Sequence, residues 1–223
     1  MNFPEWIQQY GDNLQLTVFF GFFITLALLE RLISRRARSP NNLARWGGNL
    51  RLTIVNVVLF ASLPVSFVAA AFWAEAQPWG LLNLRSLPLE ISVLATLFLR
   101  GFIAWGTHIL NHKIPFLWRF HRIHHLDTEL DVSTTLRVHP VEFVLNLLIG
   151  IPLVVLFGLT PWALMLYEVF DAVVVVFSHS NVRFPTSIDS ILKYIIVTPD
   201  LHRIHHSSWR LETDSNYGPV FPI

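Results

Sequence analysis

Ten histidines are spread very unevenly along this 223-residue chain. Eight fall in three short runs: His108-Ile-Leu-Asn-His112, His121-Arg-Ile-His124-His125 and His202-Arg-Ile-His205-His206. On a helix, residues i, i+3 and i+4 share a face, so each run is expected to present its imidazoles as one cluster pointing a single way. The other two histidines are His139 and His179. A lone histidine on an apolar face is usually a hydrogen-bonded core residue. A repeated His-x-x-His-His beside a His-x-x-x-His is hard to obtain from core packing. So much imidazole in one place repels itself once protonated, unless metal holds it neutral. Imidazole suits Fe, Zn, Cu and Ni, and eight or more ligands exceed one ion's coordination sphere. The spacing therefore predicts a two-metal centre.

The rest of the chain has to position these residues inside a membrane. The sequence is 53% hydrophobic and 14% charged, with a mean hydropathy of +0.50. Ordinary soluble domains carry about 25% charge. The length fits one domain over residues 1–223. A net charge of +1, with no basic patch interleaved with aromatics, excludes a nucleic-acid partner. The absence of cysteine excludes disulfides, thiolate metal sites and iron–sulfur clusters. The opening Met1-Asn-Phe-Pro-Glu-Trp6 lacks a basic region, so no removable signal peptide is expected.

Taken in order, residues 1–13 read as an interfacial segment with Trp6 and Tyr10 at headgroup level. Leu14–Ile33 is the first span, just long enough to cross. The linker after it carries Arg35, Arg36, Arg38, Arg45 and Arg51, which places this side in the cytoplasm. Leu52–Trp73 is the second span, with Pro64 tolerated inside it. Residues 74–86 form an outer loop with a single basic residue, Arg85. Leu87–Thr107 returns to the cytoplasmic face, and its Arg100 is read as snorkelling. Residues 113–140 are too polar for lipid. Val141–Phe157 and Trp162–Phe177 flank the uncharged turn Gly158-Leu-Thr-Pro161, a helical hairpin that dips into the bilayer and returns. Glu168 and Asp171 lie in its returning arm, either functional or paired with Arg100 or another base. The fold expected is an all-α integral membrane protein. It has about three transmembrane helices, a hairpin within the membrane and a cytosolic helical cap carrying the histidines.

The order and spacing of these motifs resemble those of the fatty acid hydroxylase and sterol desaturase superfamily. The matching residues are His108-x-x-x-His112, Trp118-Arg-Phe-His121-x-x-His124-His125, Thr135-x-Arg137-x-His139-Pro140, His179-Ser-Asn181 and Thr198-Pro-Asp-Leu-His202-x-x-His205-His206. The resemblance implies membrane di-iron oxygenases that hydroxylate or desaturate lipid chains or sterols. It implies two Fe ions, which Zn can replace in purified protein, and O2 as co-substrate. It makes His108, His112, His121, His124, His125, His179, His202, His205 and His206 the metal ligands, with His139 a further candidate. The metal-binding part is about residues 101–218. The family usually continues past Asn216-Tyr217-Gly218 into a Trp- and Phe-containing end; this chain ends Pro-Val-Phe-Pro-Ile223, which is read as truncation or divergence.

Breaking an unactivated C–H bond needs an oxidant that side chains alone cannot make, so a cofactor carries the chemistry. Nearby acids should orient or balance the imidazoles, and Asp127, Asp131, Glu142, Asp171 and Asp200 are the candidates. The membrane lipid substrate should enter sideways, with its reactive carbon under the metals. No redox module is visible, so an external donor of cytochrome b5, ferredoxin or flavoprotein type is expected. Two rival readings are a metal-binding or metal-transporting membrane protein without oxygenase activity, and a membrane haem protein. The first would string its ligands across the spans, and the second needs only paired histidines.

Overall fold

The computed structural model describes residues 3–37, 40–63, 65–84 and 87–223. Arg38, Pro64 and Arg85, named above in the basic linker, the second span and the outer loop, lie outside these residues, as do Met1 and Asn2. The helices are α1 (Phe3–Leu32), α2 (Asn42–Ser62), α3 (Phe67–Ala76), α4 (Leu89–Lys113), α5 (Pro115–His125), α6 (Pro140–Phe157), α7 (Pro161–His179), α8 (Thr186–Leu192), α9 (Pro199–His205) and α10 (Arg210–Thr213). A 3-10 turn, Val132–Leu136, stands between α5 and α6. Five stretches are long and apolar enough to cross a membrane: Glu5–Leu32, Asn42–Ala76, Leu89–Lys113, Pro140–Phe157 and Pro161–His179. The chain is an all-α integral membrane protein with five candidate spans among the described residues, the last two of which, α6 and α7, form a helical hairpin.

Three boundaries differ from the sequence reading. α1 runs unbroken from Phe3, so residues 3–13 are not a separate interfacial element. Gly11 is no breaker: it packs on Met165 of α7, whose Cε would lie 2.5 Å from a Cβ added there. The second span is two helices, α2 and α3, and α3 starts with the Ser66 hydroxyl accepting from the Ala69 N–H at 3.1 Å. Arg45 and Arg51 accordingly sit on α2 and not in a linker. α4 continues to Lys113, which puts His108 and His112 on the last turns of a spanning helix.

The hairpin tip is set by glycine. Gly158 ends α6 in the left-handed region, φ +66°, where a side chain would be strained. Gly80 (φ +101°) crosses it so closely that a Cβ would lie 2.3 Å from the Gly158 nitrogen. The crossing loop is held by Leu81 N–H to Leu156 O at 3.0 Å and Leu82 N–H to Phe157 O at 2.9 Å.

α7 is the central helix, packed by α1, α3, α4 and α9. One apolar cluster at the hairpin end joins Ile7, Val68, Ala71, Ile103, Val154, Leu164 and Met165. A second, towards the cap, joins Leu26, Val132, Val176 and Val182. Between them α7 buries Glu168, whose Oε1 accepts from Arg100 Nε at 2.5 Å. The Arg100 guanidinium lies 4.7 Å from the Phe67 ring centroid and 5.3 Å from that of Tyr167. Arg100 is thus turned inward and does not snorkel; of the two readings of Glu168, the pair is the one seen. Removing one partner of a buried ion pair costs about 3–5 kcal/mol, whereas replacing both by apolar residues can be neutral. Glu168→Ala is therefore expected to lower the unfolding midpoint in detergent sharply, and Arg100→Leu with Glu168→Leu to recover most of the loss. An unchanged midpoint for Glu168→Ala would show that the guanidinium finds other compensation.

The end of α1 is tied to the histidine-bearing end of the molecule. Ser34 pairs with Val182 in an isolated β-bridge, Arg35 N–H donates to Asn181 O at 2.8 Å, and Arg183 N–H to Ile33 O at 2.8 Å. On α2, Arg45 Nη1 donates to Asp127 Oδ2 at 2.7 Å and Nη2 to Asp131. The basic segments and the histidine runs therefore lie at one end of the bundle.

Candidate metal centre

Four helices deliver nine imidazoles to this end. α4 contributes His108 and His112, α5 His121, His124 and His125, the last residue of α7 is His179, and α9 with its C-cap gives His202, His205 and His206. They form two groups, each with nitrogen atoms within 4.8 Å of one another: His108, His112, His121, His125 and His205; and His124, His179, His202 and His206. The groups adjoin, since the His125 and His206 rings stack with centroids 4.4 Å apart. Single-run clusters do not occur. At 3.6 residues per turn, i+3 and i+4 lie about 100° apart and flank i on opposite sides. The i and i+4 histidines stay together and the middle one crosses: His124 leaves His121 and His125, and His205 leaves His202 and His206.

The tautomers show that this arrangement suits a cation. His108 Nδ1 donates to Tyr217 O and His205 Nδ1 to Ser215 O, both at 2.7 Å. A carbonyl oxygen only accepts, so each ring carries its proton on Nδ1 and presents a bare Nε2. Those two Nε2 atoms face each other at 3.1 Å. In the second group His179 Nδ1 donates to Val175 O at 2.7 Å, while its Nε2 lies 2.9 Å from His202 Nε2 and 3.1 Å from His124 Nε2. The facing lone pairs of His108 and His205 repel unless a positive charge lies between them, and His179 offers its own bare Nε2 to the same kind of site. Burial first, and the neighbouring imidazoles second, hold His124, His202 and His206 well below the ordinary histidine value, with His125 likewise lowered. Burial brings His205 down to about 4. These five rings are neutral at pH 7, the form that ligates metal.

Of the acids considered, Glu142 alone touches an imidazole, its Oε1 lying 2.7 Å from His121 Nδ1. Asp127 and Asp131 instead hold α2: Asp127 accepts from Asn49 Nδ2 at 3.2 Å and Thr134 Oγ1 at 2.9 Å, and Asp131 from Trp46 Nε1 at 2.9 Å. Asp200 pairs with Arg35 at the surface. Asp171 lines a cavity, its Oδ1 buried without a partner among the described residues. The sequence reading missed Asp214, whose carboxylate lies 3.5 Å from His112 Nδ1 and accepts from Lys113 Nζ at 2.8 Å. It also missed the Tyr217 and Ser215 carbonyls. Proximity to Asn216-Tyr217-Gly218 could have flagged Asp214, but a backbone carbonyl leaves no side-chain signal.

His139 stands outside both groups. It is extended (φ −72°, ψ 136°), as a residue before proline should be, and it caps α6. Its Nδ1 accepts from the Val141 N–H at 3.1 Å, and its ring lies 5.1 Å from that of Phe120.

Among the described residues, cavities reach the histidines from both the membrane side and the cap side. On the membrane side a cavity of about 360 Å3 runs from His108, His121, His124 and His179 down to Phe67, Arg100 and Asp171. Thr135, Val138, Phe143, Asp171 and Val175 also line a second cavity of about 310 Å3, bounded by Leu16, Phe19 and Phe20 of α1 and Val57 and Phe60 of α2. On the cap side a hollow of about 550 Å3 is lined by His112, His125 and His206 with Lys113, Arg122 and Arg210. A chain lying between the spans could thus bring a carbon to the imidazoles from the membrane, while the cap stays open to water.

An ornithine lipid hydroxylase of Rhizobium tropici is 31% identical over 215 residues, covering 90% of this chain and 62% of that protein. The human alkylglycerol monooxygenase is 26% identical, over 91% of this chain and 44% of its own. The human cholesterol 25-hydroxylase is 28% identical, over 92% and 77%. The chain thus spans less than two thirds of the first two relatives. No solved structure matches it. A family model described as "Fatty acid hydroxylase" matches residues 93–223, the stretch that holds all ten histidines and both nitrogen groups. With that match and the interleaved histidines at the end of the bundle, the chain belongs to the fatty acid hydroxylase family.

Proposed function

We propose that the chain is an O2-dependent hydroxylase of a membrane lipid, a fatty acyl, sterol or related one, with residues 1–223 forming one domain and about 101–218 binding the metals. The observation that carries this is the membrane-side cavity, which leads from between the spans to two all-imidazole groups. Hydroxylation is favoured over desaturation because the three relatives named are hydroxylases or monooxygenases. They act on different lipids, so the reading stops at the class. A metal transporter would string ligands along the spans, and these nine gather at one end.

The ligands proposed are His108, His112, His121, His125 and His205 for one ion and His124, His179, His202 and His206 for the other. When bound, the two Fe ions would activate O2 towards an unactivated C–H bond, chemistry that protein groups do not possess. The residues supply everything else. The Tyr217, Ser215 and Val175 carbonyls fix three imidazoles with Nε2 inward. Glu142 holds the proton on His121 Nδ1 and turns that ring into the first group. Ile103, Val138, Phe143 and Val175 line the apolar wall that would hold the chain and keep water from the reacting carbon. The cap-side hollow over His112, His125 and His206 faces the side from which an external electron donor would approach. By the positive-inside rule that side is the cytoplasm.

Loss of a group that orients a ligand typically costs 10–100-fold in metal affinity or activity. Glu142→Ala is expected to fall in that range, with Glu142→Gln retaining more; wild-type turnover in Glu142→Ala would remove it from the site. The reading itself is tested by comparing the lipids of a host with and without the chain. A new lipid alcohol is expected. Unchanged lipids together with full metal loading would overturn it.

A further inference from the structure

Three guanidiniums converge on a hollow that no step of the proposed hydroxylation uses. It is a cavity of about 490 Å3 where Arg35 and Arg36 meet Arg203 of α9, with Thr128, Ser207 and Ser208 supplying hydroxyls. The strap that carries Arg35 and Arg36 is fixed in place. Its Ser34 bridges Val182, Arg36 N–H donates to Asn181 Oδ1 at 3.2 Å, and Asn181 Nδ2 donates back to Arg36 O at 3.0 Å. Arg203 is fixed from the other side, its Nη2 donating to Ser180 O at 3.1 Å and to Asn181 Oδ1 at 3.3 Å. Its Nε and Nη1 are buried and meet no acceptor among the described residues. A charged donor left buried without an acceptor is costly, more so than a neutral one. Two acids line the hollow, Asp200, which pairs with Arg35, and Glu212. Glu30, buried behind the hollow, also acts on Arg203, and its Oε1 is taken by the Val132 and Asn181 N–H groups, so within the hollow itself three cations meet two carboxylates.

The hollow also has a defined depth. The strap begins directly after Leu32, where the first candidate span ends, so its arginines stand where the membrane surface meets the cap. Leu32, Ile33 and Ile204 nearby are exposed. Guanidinium forks together with hydroxyls match the several acceptor oxygens and compact charge of a phosphate better than a single carboxylate. We propose that this hollow binds a phosphate-class anion, carried by a phospholipid headgroup or free in the cytoplasm. His206 lines the same hollow and Arg203 stands between His202 and His205. An anion there would brace α9, which carries part of the metal centre.

The test follows thermal unfolding of the full chain in detergent by tryptophan fluorescence. It titrates sodium phosphate in one arm and dihexanoyl phosphatidylglycerol in the other, each against chloride at matched ionic strength. A ligand that binds only the folded protein raises the midpoint in a saturating, concentration-dependent way. A rise with the lipid alone assigns the site to a headgroup, and a rise with inorganic phosphate alone assigns it to a soluble anion; a rise with both supports the shared chemistry. Arg203→Gln and, separately, Arg36→Gln, whose side chain makes no hydrogen bond or ion pair among the described residues, should each abolish the rise. No rise above chloride in either arm, or the same rise in a folded Arg36→Gln protein, overturns the proposal.

Discussion

His205→Ala is expected to leave the protein inserted and helical but without bound metal in the first group, and to abolish lipid oxidation. His205 is fully buried, its Nδ1 is fixed by the Ser215 carbonyl at 2.7 Å and its Nε2 lies 3.1 Å from His108 Nε2. It also reaches the α4/α5 group from the far side of the cap, being the single α9 member there. Its loss removes a donor that no neighbour can replace, because the other α9 histidines face the second group. His125→Ala should do the same, whereas His124→Ala and His206→Ala should empty the second group and likewise abolish activity. Each test pairs metal analysis with turnover and a check of membrane insertion. Near wild-type turnover in any of them would remove that residue from the ligand set.

The second expectation separates His179 from His139. His179 sits at the end of α7 with Nε2 2.9 Å from His202 and 3.1 Å from His124, at the middle of its group. His179→Ala should empty that group and abolish activity. His139 faces none of these rings; its Nδ1 caps the first turn of α6. Loss of an N-cap costs about 0.5–2 kcal/mol. The cap holds the helix that delivers Glu142 to His121, so some activity should go with it. His139→Ala should accordingly keep its metal, lose a few degrees of stability and retain part of its turnover. Metal analysis showing His139→Ala as empty as His205→Ala would make His139 a ligand.

Much of this was legible in the residues because the two signals involved are strong ones. Long apolar runs give spans, and the uncharged Gly158–Pro161 turn gives a hairpin. The histidine spacing gives eight of the nine that the structure brings together, and the family resemblance at His179-Ser-Asn181 adds the ninth. The partition of that set was not legible. Which histidine of each His-x-x-His-His crosses to the other group depends on how α5 and α9 face each other across the cap, and no local pattern encodes that. Nor did composition reveal that Arg100 turns inward. A long side chain within an apolar span can snorkel or pair, and only the position of Glu168 on α7 decides. Acids read as candidates by nearness in sequence mostly serve the scaffold: Asp127 and Asp131 hold Arg45. Asp214, remote from the histidine runs α4 and α5 carry, folds back onto His112.

The central claim, that the paired imidazole groups serve insertion of oxygen into a membrane lipid, is tested most directly with isotopically heavy dioxygen. Cells producing the chain would be grown under labelled O2 and their lipids analysed by mass spectrometry, beside cells producing His205→Ala. The account predicts a lipid alcohol whose new oxygen comes from the gas, present with the wild-type chain and missing with the variant. Unlabelled alcohol, or labelled alcohol at equal level in both, would contradict it.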